Sequence, residues 1–213
     1  MTRLILFDCD GTLVDSRSAI VRAMRLAFEE CGLAPPEPHA VTSIIGLSLH
    51  EAIRHLHGED AAVTEIASAY RRYWLQEEQR LSLFEGIPSM LQQLEDQGFW
   101  LGIVTGKSSA GLLRVLDFFD LKRHFLVWRT ADRCPSKPHP AMVLECADEL
   151  GVRPEHTVVI GDSPFDMAMA KAAGARPYGV SYGVGSTESL LREGAAAVFD
   201  HPQDITNVFV TAD

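Results

Sequence analysis

No run of apolar residues in this chain approaches the roughly 18 that would span a bilayer, so a membrane-embedded role is not expected. The first apolar stretch, Leu4 to Phe7, is cut short by Asp8, too early for a secretory leader. Basic charge is also scarce. Lysine and arginine number 19 against 29 aspartates and glutamates, a net charge of −10 that argues against a non-specific nucleic-acid binder. The four cysteines, Cys9, Cys31, Cys134 and Cys146, show neither paired nor CxxC spacing, which argues against both a disulfide framework and a zinc site. Together these absences predict a cytoplasmic protein with reduced thiols. Internal repeats and low-complexity tracts are missing as well, so neither a solenoid nor a disordered linker is expected.

What is present is enough apolar residue for a packed core, 46 % over 213 positions, and it is arranged in two patterns. Leu4-Ile5-Leu6-Phe7 is a short continuous apolar run that ends in Asp-Cys-Asp-Gly. Trp100-Leu101-Gly102-Ile103-Val104 runs into Thr105-Gly106, and Thr157-Val158-Val159-Ile160 runs into Gly161-Asp162. Continuous apolar runs closed by turn residues and followed by helix-like segments read as buried parallel strands of a doubly wound α/β sheet. Ligands of such sheets bind beyond the carboxyl ends of the strands, where all three runs place their polar residues.

The second pattern covers 16–84. Apolar residues recur at helical spacing at Ile20, Met24, Ala27 and Phe28, at Leu49, Ile53 and Leu56, and at Ile66, Tyr70, Tyr73 and Trp74. Pro35-Pro36-Glu37-Pro38 interrupts it once, and no strand-like run intervenes. The expected organisation is an α/β core of 1–15 and 85–213 with an all-helical insertion at 16–84. Trp74 and Tyr70 read as a helix-packing seam, and the tail after Asp200 carries no signal of its own.

Chemistry gathers at the strand ends. Asp8 and Asp10 stand two residues apart at the mouth of the first strand, and two carboxylates that close in a partly buried place call for a divalent cation or a shared proton. Oxygen-only ligands select a hard cation, and Mg2+ takes one or two carboxylates while bridging to a phosphate. Asp162 supplies a further carboxylate, with Asp166 expected one turn on along the same helix face to support the metal or its waters. Thr105 and the Gly106 N–H, read as ending a strand and starting a helix, favour an anion there. Lys137, between Ser136 and Pro138, would neutralise nucleophile and phosphoryl oxygens. Cys9 is expected to be packing rather than a redox switch, because alternation along the strand end turns it away from its two neighbours.

Asp8-Cys9-Asp10-Gly11-Thr12-Leu13-Val14-Asp15-Ser16, Thr105-Gly106-Lys107, Ser136-Lys137-Pro138 and Gly161-Asp162-Ser163-Pro164-Phe165-Asp166 resemble, in order, the four motifs of the haloacid dehalogenase superfamily. The helical insertion falls where that superfamily places its cap domain, and Gly46-Leu47-Ser48-Leu49 is similar to the phosphoglycolate-phosphatase-like branch. The resemblance implies a Rossmann-like core and a Mg2+-dependent phosphatase acting on a small phosphate ester. It implies in-line attack by Asp8 and proton transfer by Asp10. It also implies metal ligation by the Asp8 carboxylate, the Asp10 carbonyl and Asp162, with phosphate contacts from Thr105 and Lys137. The presence of Asp10 points away from halide chemistry, which in this superfamily goes with the lack of an acid there. Gly46, Leu47 and Ser48, met by Lys107, are expected to carry substrate choice. A phosphosugar mutase of the β-phosphoglucomutase type and a non-catalytic binding protein are the alternatives on the same fold.

Overall fold

The computed structural model describes residues 2–58 and 62–210. Its centre is a six-stranded sheet of β1 (Leu4–Phe7), β4 (Trp100–Thr105), β5 (Val127–Thr130), β6 (Thr157–Gly161), β7 (Arg176–Val180) and β8 (Val198–Phe199), ordered β5-β4-β1-β6-β7-β8 with every pair parallel. Parallel neighbours need long crossovers, and helices supply them. These are α5 (Ile87–Asp96) before β4, α6 (Ser109–Phe118), α7 (Ala141–Glu149), α8 (Pro164–Ala173) and α9 (Thr187–Arg192), with α10 (Pro202–Val210) after the last strand.

Both faces of the sheet are covered, which is why its strands are apolar without alternation. Ile5, Phe7, Ile103 and Ile160 pack on one side with Met90 and Leu94 of α5 and Leu112 of α6. Leu4, Leu6, Val104 and Val159 pack on the other with Met142 and Cys146 of α7 and Met169 of α8. Chain order runs outward from β1 to β5, then returns to β6 on the other side, so β1 marks the point where the winding reverses. Phe7 is in register with Ile103 and Ile160, which brings the ends of these three strands to one level.

Between β1 and α5 come α1 (Arg17–Glu30), α2 (Pro38–Thr42), α3 (Leu49–His57) and α4 (Val63–Glu77). The apolar stripe expected on α1 is buried at Ile20, Met24, Ala27 and Phe28, as are Ile53, Ile66 and Trp74. The prolines do more than break the run: Pro38 opens α2, because a proline at the first helical position lacks only an N–H that has no partner there anyway.

The expectation of an all-helical insertion over 16–84 needs one correction. Ser82–Leu83 form β3, paired antiparallel with β2 (Val14–Asp15). Strands of two residues are too short to show a period, so the ribbon they make was invisible in the pattern. Strands β5, β7 and β8 likewise carry no clear sequence signal; β7 contains Pro177 and Gly179, both weak strand formers. The tail forms α10 and packs on α5, with Ile205 fully buried. Among the described residues no helix is long and apolar enough to cross a membrane.

Candidate active site

Asp8 follows the last residue of β1, and its N–H donates to the Ile160 carbonyl at 2.9 Å, so the central strand holds its backbone. The side chain is 1 % exposed. Lys137, from the loop after β5, is fully buried beside it: its Nζ lies 2.7 Å from Asp8 Oδ1 and 2.6 Å from Asp166 Oδ1. Asp166 is oriented by its own helix. Ser163 caps α8, its hydroxyl donating to Asp166 Oδ2 at 2.6 Å and its N–H to the same oxygen at 3.1 Å, while the Asp166 N–H returns to Ser163 Oγ. Asp162 completes the group. Its Oδ2 accepts from the Val184 N–H at 2.8 Å, and the Thr12 hydroxyl lies 3.4 Å from Oδ1.

Two expectations about these elements change. Asp162 precedes the cap residue Ser163 and is outside the helix, so it does not share a helix face with Asp166. Likewise Thr105-Gly106 do not open a helix. The side chain that caps α6 belongs to Ser108, which accepts from the Gly111 N–H, and the Thr105 hydroxyl accepts instead from the Lys107 N–H at 3.2 Å.

The electrostatics of the cluster are unbalanced. One oxygen each of Asp8, Asp162 and Asp166 lies within 4.8 Å of the other two. When all three are ionised, one ammonium leaves two negative charges uncompensated. Burial pushes the Asp8 carboxyl up to about 7, with the Asp166 and Asp10 charges adding to the shift and Lys137 opposing it. Burial also holds Asp162 well above the usual carboxylate range, helped by Asp8 and Asp166. For Lys137, burial works against the charged form, but the Asp166 and Asp8 carboxylates outweigh it and raise its pKa. Asp8 Oδ2 is buried with neither a hydrogen-bond donor nor an ion-pair partner. An all-oxygen donor set with excess negative charge and an unpartnered oxygen fits a hard divalent cation. Asp8 offers the free oxygen and Asp162 an Oδ1 with only the long 3.4 Å contact from Thr12, whereas both Asp166 oxygens hold donors at 2.6 Å.

Asp10 lies apart from this cluster. Its carboxylate turns toward Lys107, whose Nζ is 2.9 Å from Oδ1 and 4.3 Å from the centre of the Trp74 ring on α4. The turn that follows Asp10 depends on Gly11, at φ +81°, where an added Cβ would sit 2.0 Å from Asp162 Oδ2. Gly106 permits a second close approach: a Cβ there would lie 2.4 Å from the Leu47 carbonyl oxygen and 2.8 Å from that of Gly46. Ser48 donates its N–H to Ser136 Oγ at 2.9 Å and accepts from the Glu51 N–H with its own hydroxyl, capping α3.

A cavity of about 570 Å3 lies between these groups and the helices, lined among others by Asp8, Asp10, Gly46, Leu47, Ser48, Thr105 and Gly106. Lys137, Asp162 and Asp166 are beneath it rather than on its wall. Cys9 is fully buried among apolar side chains, and burial raises its thiol pKa, as suits packing. Tyr70 and Trp74 stack at 6.0 Å and 13°, a packing seam that is also cavity wall.

Two contributions escaped sequence reasoning. The pairing of Lys107 with Asp10 under Trp74 joins three distant segments. The Tyr182–Val184 loop closes over Asp162, Tyr182 donating its hydroxyl to the Thr12 carbonyl; the glycines at 183 and 185 were its one visible signal.

Residues 5–180 match the family model of the haloacid dehalogenase-like hydrolases. The chain belongs to that family. Its relatives include phosphatases. The probable phosphatase IndB of Dickeya dadantii is 34 % identical over 198 residues, covering 89 % of this chain and 86 % of IndB. A phosphoglycolate phosphatase of Aquifex aeolicus is 31 % identical over 176 residues, 82 % of each chain. This haloacid dehalogenase-like hydrolase thus sits with the phosphoglycolate-phosphatase-like branch. Its fold is that of a predicted phosphatase from Clostridium acetobutylicum, whose crystal structure superposes with a TM-score of 0.89 at 23 % identity, covering 99 % of both chains.

Proposed function

We propose that this hydrolase is a cytoplasmic, Mg2+-dependent phosphomonoesterase that works through a phosphoaspartyl intermediate on Asp8. The observation that carries the reading is the buried Asp8 carboxylate, held by Lys137 at 2.7 Å and facing the cavity with Oδ2 unpartnered. Asp8 attacks phosphorus, the ester P–O bond breaks, and Asp10, carrying a proton in this step, delivers it to the leaving oxygen. Asp10 then takes a proton from water as the water oxygen attacks the phosphoaspartate, releasing phosphate and restoring the Asp8 carboxylate. The Asp8 carboxylate, the Asp10 carbonyl and Asp162 would hold Mg2+, with Asp166 supporting them. When bound, it supplies the positive charge that keeps the acids ionised and offsets charge on the phosphoryl oxygens. Thr105, the Gly106 N–H and Lys137 face the phosphoryl group. Asp166, fixed by Ser163, keeps the lysine in place.

In this reading 16–84 act as a cap over a core of 1–15 and 85–213, joined through the β2–β3 ribbon, with Gly46, Leu47 and Ser48 brought to the site. Phosphoglycolate, named for two relatives, belongs in the first substrate panel. Phosphate release from such a panel, with and without Mg2+, is expected to require the metal and to fall at least about a thousandfold in Asp8→Asn. Release that survives the substitution would sink the nucleophile assignment.

A further inference from the structure

The cavity above Asp8 is mismatched to a two-carbon acid. At about 570 Å3 it lies within the range, roughly 300–1,000 Å3, of pockets that enclose drug-sized ligands. Its apolar wall is formed by Ile20 and Met24 of α1, Ile45, Ala52 of α3, and Tyr70 and Trp74 of α4, with His50, Ser108, Arg114 and Asp132 also on the lining. All of the apolar-wall residues but Tyr70 are buried. A small polar leaving group would leave most of this wall facing trapped water, whereas an apolar one would displace it.

Charge leads to the same conclusion. The carboxylate of phosphoglycolate is one carbon from the ester oxygen and needs a cation close to the phosphoryl site. Two of the three cations there are engaged whatever the protonation of Asp10, Lys137 by Asp8 and Asp166 at 2.7 and 2.6 Å and Arg114 by Glu78 at 2.7 Å, while Lys107 is held by Asp10 at 2.9 Å until that acid takes a proton and lies 4.3 Å from the centre of the Trp74 ring. Arg71 also lines the cavity and has no ion-pair partner among the described residues, but it is an exposed residue of α4.

Resting on the phosphatase reading above, we infer that the substrate is a phosphate monoester of a bulky, largely apolar alcohol, a long alkyl chain or a ring, whose body fills the chamber between α1, α3 and α4. Phosphoglycolate is a poor substrate in this account.

A series of n-alkyl phosphates from ethyl to octyl tests it, because the leaving alcohols are nearly equal in basicity and differ in the surface they bury. With Mg2+ present, kcat/KM is expected to climb by about fourfold per methylene over the first few carbons and then level off, with phosphoglycolate below hexyl phosphate. Ala52→Leu is expected to move the levelling-off to a shorter chain. Calorimetric binding of n-alkylphosphonates to Asp8→Asn repeats the series without turnover and without reshaping the wall. Hydrolysis that is abolished by Asp8→Asn but is flat or falling with chain length, with phosphoglycolate preferred, overturns the inference and leaves the phosphatase reading standing. Phosphonate affinity that rises with chain length while no ester is hydrolysed keeps the ligand chemistry and removes the phosphatase reading.

Discussion

At the scale of single residues, the cluster of Asp8, Asp162 and Asp166 around Lys137 is an electrostatic liability until a cation arrives. Asp8 titrates at about 7 in the folded chain against an ordinary 3.8, and Asp162 is raised in the same direction. Between those values the folded state binds more protons than the unfolded state. By linkage, the stability of metal-free protein therefore falls as pH rises from 3.8 toward about 7. The acids whose pKa values are depressed, such as Asp132 and Glu145, lose their contribution only as pH falls below their ordinary values of 3.8 and 4.5, outside a comparison of pH 5 with pH 8, and Lys137 titrates above it. Urea midpoints of chelated protein are expected to be lower at pH 8 than at pH 5, and Asp8→Asn is expected to shrink the difference. An equal slope in wild type and variant would show that Asp8 is not the group responsible. Much of this cluster was legible, because carboxylates at the ends of apolar strands are conspicuous. The Ser163-to-Asp166 spacing of a capping box was legible too, but that it holds Asp166 for Lys137 was not, because the lysine lies 29 residues away.

At the scale of elements, the close approach of the 46–48 loop to the end of β4 decides how the cavity is closed. A side chain at Gly106 would drive into the Leu47 carbonyl, which has nowhere to go without lifting the loop. Gly106→Val is expected to lower kcat/KM by about a hundredfold, since a displacement of about 1 Å in positioning groups has that order of effect. The melting temperature is expected to change little, because the residue lies at a loop and not in the core. A collapse in melting temperature would mean that the contact holds the fold rather than the site. The sequence did identify both partners, Gly106 and the Gly46-Leu47-Ser48 turn. Their contact depends on how the helices sit over the sheet, which no local period encodes.

At the scale of the whole molecule, the chain is acidic overall yet is read as taking an anionic substrate, so a bound cation has to reverse the local field. Mg2+ is expected to stabilise the protein by about 2.7 kcal/mol at a concentration one hundred times its Kd. The gain should be larger at pH 8 than at pH 5, because protons compete for the same carboxylates. Thermal shifts measured with and without Mg2+, beside Asp162→Asn, check this; a shift that persists in the variant would place the cation elsewhere.

The sequence by itself determined the parallel α/β core, the strand ends that carry polar residues, and the family, because buried parallel strands must be continuously apolar and their turns must not be. It also determined that helices, rather than sheet, fill most of the stretch between the first strand and Gly86, since their 3.6-residue period survives without partners. Only the tertiary structure decided that Ser82–Leu83 pair with Val14–Asp15, that Asp10 turns to Lys107 and away from the other carboxylates, and that the chamber above Asp8 is walled by apolar side chains of three helices. Each of these is a contact between segments far apart in the chain. Local patterns report which face of an element is buried, and the identity of what covers that face is a property of the assembled fold.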